Sequence, residues 1–464
     1  MKEKDVTNKE ELEFNPIKIL NKESGKYLYS IKTGAMFRID EPTAKLVQTK
    51  GLSYDELYDA FKDIWDAEKF RQLIESLKKY GIIKEKVDKQ IVEKERQQLN
   101  MELSSIVLFM IQQCNLRCTY CYGEGGEYSK KGIISLETAM KAVDFLMENT
   151  TKKLVFITFF GGEPLMNFPL IKEVVDYALK QGKKYEKQIQ FAITTNATLL
   201  NGEITDFLLE HKFSVTISID GCKELHDKNR FFVNGKGTFD TVVKNSRRLV
   251  EKRPVSARAT ITKTNLDLVK NFYDLYELGF RRINMAPCFD MLDEEAYEEY
   301  TCNFDKLLQE YDHLLEEKKY DECKAMGEVT KKLRRMEQGG ISSKFCGALF
   351  NSVAVDVYGE IFPCHRFVGI DEFCVGNVFD GFEQKKCSEI AEGIKIESHD
   401  KCSDCWAVNL CGGGCIFENY LASGHINVPC EKQCSYTKKT FEAISDYYVA
   451  LSDEKRNAIF SKNK

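Results

Sequence analysis

The 464-residue chain is 43% hydrophobic and 30% charged, long enough for two or three separately cored domains. Its net charge of −5 leaves no electrostatic footprint for nucleic acid, and no apolar run of about eighteen or more residues offers a membrane span. The polar start at Met1–Asp5 lacks a signal-peptide core, so a cytoplasmic protein is expected, with its seventeen cysteines binding metal rather than forming disulfides.

In chain order, three short strands are expected at Ile17–Leu20, Tyr27–Ile31 and Met36–Ile39. Helices over Glu41–Thr49, Ser53–Phe61 and Ala67–Tyr80 follow, stopped by Gly51 and Gly81. The last of these helices carries no dense basic face, which argues against DNA. A strand-then-helix module over residues 1–86 resembles the winged-helix, PqqD-like domains of ribosomal-peptide maturases. That resemblance implies a leader peptide added as a strand to a sheet edge. The charged stretch 87–100 reads as a linker helix.

Six apolar segments alternating with helical stretches then fill residues 101–330. They are Ser105–Ile111, Leu154–Phe160, Ile189–Thr195, Ser214–Ile219, Ser256–Thr262 and Arg282–Ala286. Alternation of this kind implies parallel βα units, so the fold class is α/β, a partial (β/α)6 barrel of TIM-like type. Reacting groups are expected at the C-terminal strand ends. From about Thr330 the texture changes to glycines, short strands and cysteines, marking a third, cysteine-rich domain over 331–464.

The first strand runs into Cys114-x3-Cys118-x2-Cys121. Three thiolates this close can hold three irons of a 4Fe–4S cube, leaving the fourth iron to another ligand. The second strand ends in Gly161-Gly162-Glu163-Pro164. Together these motifs resemble the radical S-adenosylmethionine (SAM) enzymes, in which the methionyl end of SAM takes the open iron. The resemblance implies that Gly161, Gly162 and Glu163 hold the SAM amino group, with Tyr120 near the adenine. Ser218 and Asp220 would meet the ribose or the substrate, and Asp220 is a candidate base. Arg258 would pair with the SAM carboxylate, and Asn196, with Thr195, would line the same site. His226, Asp227 and Arg230 read equally as peptide-facing residues or as a hydrogen-bonded turn.

Cys346, Cys364 and the run Cys402-x2-Cys405-x5-Cys411-x3-Cys415, then Cys434, resemble the SPASM signature. That resemblance implies two auxiliary 4Fe–4S clusters, for three in all. Cys346, Cys364 and Cys415 would hold one, and Cys402, Cys405, Cys411 and Cys434 the other. Ser352 stands where some relatives place an eighth cysteine. The first auxiliary cluster therefore keeps an open iron or is completed by Cys430 or Cys374, and spacing leaves these open.

The resemblance implies a maturase that installs thioether cross-links, as in sactipeptides and ranthipeptides, in a cysteine-containing precursor peptide. A flavodoxin- or ferredoxin-type reductant would feed it. Alternatives are an anaerobic sulfatase-maturing, formylglycine-forming enzyme and a maturase of a protein-derived cofactor. The remaining alternative is a non-catalytic cluster-binding regulator.

Overall fold

The computed structural model describes residues 11–22, 25–84, 101–340, 344–399, 401–403 and 405–460. The linker helix expected over 87–100 lies outside the described residues. The chain divides into two compact units, Met1–Gln98 with Lys332–Phe345 and Lys395–Lys464, and Leu99–Lys331 with Cys346–Ile394. Residues 331–464 thus contribute to both units. Among the described residues no helix is long and apolar enough to cross a membrane.

In the first unit, β1 (Ile17–Lys22), β2 (Gly25–Ser30) and β3 (Met36–Ile39) form an antiparallel sheet in that order. Three helices follow, each started by an acidic or hydroxyl cap. Asp40 accepts from the Thr43 N–H, Ser53 and Glu56 make a capping box, and Asp66 accepts from the Lys69 N–H. Leu28 on β2 joins Leu46, Leu57, Phe70, Ile74 and Leu77 of these helices in one apolar core. Burying a side chain the size of Phe70 contributes about 1.5–3 kcal/mol.

Strand periodicity turns Tyr27 and Tyr29 to the face opposite Leu28. That face meets the C-terminal part of the chain. The Tyr27 hydroxyl donates to the Val449 carbonyl at 3.5 Å, and Lys18 pairs with Glu442 at 2.8 Å. The Lys18 ammonium also sits 3.8 Å from the centroid of the Trp406 ring. The Asn409 amide donates to the Ile31 carbonyl, while the Arg335 guanidinium donates to the Asn409 carbonyl at 2.5 and 3.1 Å. The sheet is therefore packed on both faces. Asn409→Ala would leave the buried Ile31 carbonyl without this donor, at a cost of about 1–3 kcal/mol. Thermal melting should shift downward accordingly, and an unchanged midpoint would remove Asn409 from the account of this packing.

The second unit is built on an eight-stranded sheet. Its strands are β4 (Ser105–Ile111), β6 (Leu154–Gly161), β7 (Gln188–Thr195), β8 (Ser214–Ser218), β10 (Ser256–Ile261), β11 (Arg282–Pro287), β12 (Ser352–Val355) and β13 (Ile361–Phe362). The order is β11-β10-β8-β7-β6-β4-β12-β13, parallel throughout except for the last pair. The six strands expected from the sequence are present and shifted by at most one residue at their ends. The short β12 was not expected; it adds beside β4, with Ser352 opposite Ser105. Two three-residue strands, β5 (Leu116–Cys118) and β9 (Arg230–Phe232), make a separate antiparallel ribbon.

Parallel sheets are usually apolar on both faces because helices cover both. Here alternation survives. Val155, Ile157, Phe159, Phe191 and Ile193 are buried on one face, where the rings of Phe159, Phe191 and Phe213 stack at 5.4–6.2 Å. The other face carries Ser, Thr, Gln, Asn and Arg at partly exposed positions, with Val107, Leu154, Phe156 and Phe160 among them on β4 and β6. A sheet with one partly exposed, largely polar face leaves room for a ligand beside its strand ends.

Candidate active site

The cysteine loop leaves β4 at Ile111 and is gripped from several sides. The Gln112 amide donates to the Lys130 carbonyl at 2.7 Å and its oxygen accepts from the Val357 N–H at 3.2 Å. The β5–β9 ribbon sets Cys118 directly opposite Arg230. The Leu116 N–H points at the Cys114 sulfur from 3.4 Å, and the Asn196 amide from 3.8 Å. Donors aimed at sulfur are the contacts by which a protein tunes an iron–sulfur group.

Gly161 and Gly162 serve this loop directly. The Gly162 N–H donates to the Ile111 carbonyl at 2.8 Å and the Glu163 N–H to the Gln113 carbonyl at 3.0 Å. A Cβ on Gly162 would lie 2.0 Å from the Gln113 oxygen, and one on Gly161 (φ +132°) 2.3 Å from the Ile111 oxygen. Two backbones thus lie in contact where side chains cannot fit.

Glu163 points into the protein. Thr195 Oγ1 donates to its carboxylate at 2.7 Å, as do the Asn196 N–H at 2.7 Å and the Leu165 N–H at 3.1 Å. Burial nevertheless pushes its carboxyl up to about 7, the Asn196, Thr195 and Leu165 donors pulling the other way. The folded chain therefore holds this proton more tightly than the unfolded chain, in which glutamate titrates near ~4.3. Its contribution to stability is full below that value and is lost as pH rises through about 7. Glu163→Gln, which cannot ionise, is expected to flatten the melting temperature over roughly pH 5–8. A profile as steep as the parent's would contradict this assignment.

Half-buried Tyr120 forms one hydrogen-bonded group with buried Asp220 and Arg230. The Tyr120 hydroxyl donates to Asp220, and Arg230 donates to the same hydroxyl at 2.7 Å. The other Asp220 oxygen accepts from the Thr260 N–H at 2.9 Å. Asp220, expected as a candidate base, is fully buried with both oxygens engaged. His226 and Asp227 lie on the helix Lys223–Asn229 and Arg230 opens β9, with their side chains held by the chain around them. Asp227 accepts from the Thr238 and Phe239 N–H groups at 2.7 and 2.9 Å, and His226 meets Thr238 at 2.9 Å. Burial, then the Arg230 charge, pulls His226 down to about 3.

Ser218 and Arg258 are register partners on β8 and β10, on the polar face, and Asn284 of β11 continues their row. A contact not expected from the sequence comes from the segment after Cys364. The His365 ring lies 5.0 Å from Phe160 and 6.3 Å from Tyr122, with the Arg366 guanidinium 5.4 Å from the Tyr122 centroid. The signal was available, since His365 and Arg366 directly follow a cysteine, and Tyr122 directly follows Cys121.

None of the seventeen cysteines is in a disulfide. Cys402, Cys405, Cys411 and Cys434 line one cavity of about 300 Å³ in the first unit. Among the described residues no three His, Cys, Asp or Glu side chains converge as one ion requires. A roomy cavity walled by four sulfurs fits a polynuclear group better than a single tetrahedral zinc. Burial and the neighbouring Cys434 push the Cys411 thiol up to about 12, so its proton leaves only when a metal displaces it. Cys346 and Cys364 belong to the second unit and Cys415 to the first. Cys430 caps the helix that bears Cys434, and the Cys374 sulfur faces the Gly376 carbonyl at 3.4 Å.

The sequence profile of the radical SAM superfamily matches residues 108–276, the span from β4 through the GGEP loop to the helix before β11. The chain belongs to the radical SAM superfamily. Membership makes it an enzyme and implies a 4Fe–4S cluster with SAM. An uncharacterised protein of Methanocaldococcus jannaschii is 30% identical, over 60% of this chain and 90% of its own. The cysteine-type anaerobic sulfatase-maturating enzyme of Clostridium novyi is 26% identical, over 75% of this chain and 97% of its own. The subtilosin biosynthesis protein AlbA of Bacillus subtilis is 25% identical, over 66% and 65%. Two solved structures share the fold. One is anSMEcpe with bound AdoMet and a Cp18Cys peptide, with TM-score 0.62 and 22% identity over 74% of this chain and 98% of that one. The other is Streptococcus suis SuiB bound to its precursor peptide SuiA, with TM-score 0.50 and 16% identity over 91% and 99%. The radical SAM chain described here is thus an α/β protein whose relatives act on peptides or sulfatases.

Proposed function

We propose that this radical SAM enzyme is a peptide maturase that forms thioether links between a cysteine sulfur and a carbon of a ribosomally made precursor. The observation that carries the reading is the four-cysteine cavity, packed in one unit with a separate three-stranded sheet. A radical site alone needs neither. In this reading Cys114, Cys118 and Cys121 hold the SAM-binding cluster at the mouth of a partial (β/α)6 barrel. Cys402, Cys405, Cys411 and Cys434 hold one auxiliary cluster of a SPASM-type domain, and Cys346, Cys364 and Cys415 the other. The cluster and SAM, when bound, supply a 5′-deoxyadenosyl radical able to take hydrogen from an unactivated C–H bond.

The chain's own residues do the placing. Gly161 and Gly162 admit SAM close to the backbone, Asn196 and Ser218 border it, and Arg258 takes its carboxylate. Tyr120 is held for stacking by Asp220, which serves as a positioning residue. Residues 11–84, as a PqqD-like domain, gain the leader at a sheet edge, the two faces being covered. A flavodoxin- or ferredoxin-type protein supplies electrons.

A second reading, formylglycine formation on a sulfatase, is favoured by the Clostridium novyi relative, matched over 97% of its length. That match leaves a quarter of this chain without a counterpart, whereas SuiB covers 91% of it. Mass spectrometry of a co-expressed cysteine-containing precursor separates the two. Each thioether should remove two hydrogens and one alkylable cysteine, while formylglycine formation removes the sulfur itself. An unmodified precursor under anaerobic, SAM-replete conditions would sink the thioether reading, and a sulfatase-derived cysteine peptide left unmodified would sink the other.

A further inference from the structure

The cysteines that wall the cavity of the first unit come from two segments. A loop carries Cys402, Cys405 and Cys411, and the helix Glu431–Ala450 carries Cys434. Bonds within the loop are short-range. The Cys405 N–H donates to the Cys402 carbonyl at 3.1 Å, the Val408 N–H to the Cys405 carbonyl at 3.1 Å and the Cys411 N–H to the Ala407 carbonyl at 2.8 Å. Turns of this kind fix the loop's local course and leave its position against the helix to contacts from outside.

The small sheet supplies such contacts. Register pairs Lys18 with Tyr29 and Leu20 with Tyr27, so these four side chains share one face. Lys18 touches both cysteine-bearing segments at once. Its ammonium lies 3.8 Å from the centroid of the Trp406 ring, next to Cys405, and 2.8 Å from the carboxylate of Glu442, about two helical turns past Cys434. The lysine side chain is only 20% exposed, which strengthens the cation–π contact and weakens screening of the ion pair. Tyr27 reaches the same helix at Val449, and the Ile31 carbonyl accepts from Asn409, two residues before Cys411. The sheet thus meets the loop at Trp406 and Asn409, and the helix at Glu442 and Val449.

Ligands on separate segments must converge before a metal group can join them. Whatever holds the segments together therefore favours occupancy, and by reciprocity occupancy stabilises whatever holds them. We propose that Lys18 is a positioning residue of the four-cysteine metal site, tying the loop of Cys402, Cys405 and Cys411 to the helix of Cys434, so that filling the site and ordering the small sheet are linked. The proposal rests on the reading of that cavity as a cluster site, and needs neither the SAM site nor the identity of the peptide.

The test compares hydrogen exchange in anaerobically reconstituted full-length proteins. In the double variant Cys405→Ala with Cys434→Ala, amides of residues 17–31 should exchange about tenfold faster than in the parent, with those of 154–161 unchanged. Cys118→Ala should leave residues 17–31 at the parent rate, since its lesion lies in the other unit. Lys18→Ala should surrender iron to a chelator about tenfold faster in the release phase that the double variant lacks, while Lys18→Arg stays near the parent. Unchanged exchange at 17–31 in a double variant that has lost about four irons would overturn the linkage. Parent-like iron release in Lys18→Ala, or a Lys18→Arg protein no better than Lys18→Ala, would overturn the role of Lys18. Faster exchange in both segments of the double variant would mark global unfolding, and the comparison of Lys18→Ala with Lys18→Arg then decides. A double variant that keeps its full iron would overturn the cluster reading itself.

Discussion

Replacing Cys118 with alanine is expected to abolish the release of deoxyadenosine from SAM under reducing, anaerobic conditions. Cys118 occupies the ribbon position facing Arg230, and it shares its electrostatic surroundings with Cys121 and Arg230. In the proposed reading, a missing thiolate there removes one of three protein bonds to a cube that depends on an outside ligand for its fourth iron. Substitutions that only orient metal ligands cost roughly 10–100-fold, so loss of a ligand should exceed that range. Cys302 is an exposed thiol in the helix Glu294–Glu316, and alanine there should leave release intact. The readout is chromatographic deoxyadenosine, with iron and sulfide counts alongside. Retained release in Cys118→Ala would dismiss the cysteine trio as the seat of the chemistry.

Gly162→Ala should be nearly as damaging, for a reason that has nothing to do with SAM. The added methyl would stand 2.0 Å from the Gln113 oxygen and 2.9 Å from the Cys114 N–H nitrogen. Both are backbone atoms of the loop that carries the first cysteine, so neither can swing aside as a flexible side chain could. Either the loop shifts or the Glu163–Gln113 hydrogen bond breaks. Overpacking of this kind costs about 1–3 kcal/mol, and more where backbone must move. The expected result is a lower melting temperature together with reduced iron at the first site, visible even without SAM. Normal iron content with weakened SAM binding would instead assign Gly162 to the cofactor alone. Alanine at Gly235 is the matching control, since a methyl there meets nothing within 4 Å, though φ +81° adds backbone strain.

The six parallel strands were legible because each is a bounded apolar run with helical periodicity on either side, as in Leu154–Gly161 and Gln188–Thr195. The helix caps were legible too, because Asp40, Ser53 and Asp66 are short acceptors immediately before amphipathic stretches. Strand β12 escaped notice because Ser352–Val355 is four residues long and pairs with a strand some 247 residues away, as the Ser104–Asn351 contact shows. No local period can reveal that. The helix Glu431–Ala450 was obscured by its buried face, which mixes Tyr436, Thr440 and Ser445 with Phe441 and Ile444. Glu163 was legible from the GGEP motif, while only geometry shows that its carboxylate accepts from Thr195 and Asn196.

The two-sided packing of the small sheet bears on how this protein can be divided. A fragment ending near Gln98 would strip Tyr27, Lys18 and Ile31 of Val449, Glu442, Trp406 and Asn409. An aromatic surface made for a neighbour would then face water, inviting self-association. Expressed by itself, that fragment should aggregate, and it should become soluble when the remainder of the chain is supplied as a second polypeptide.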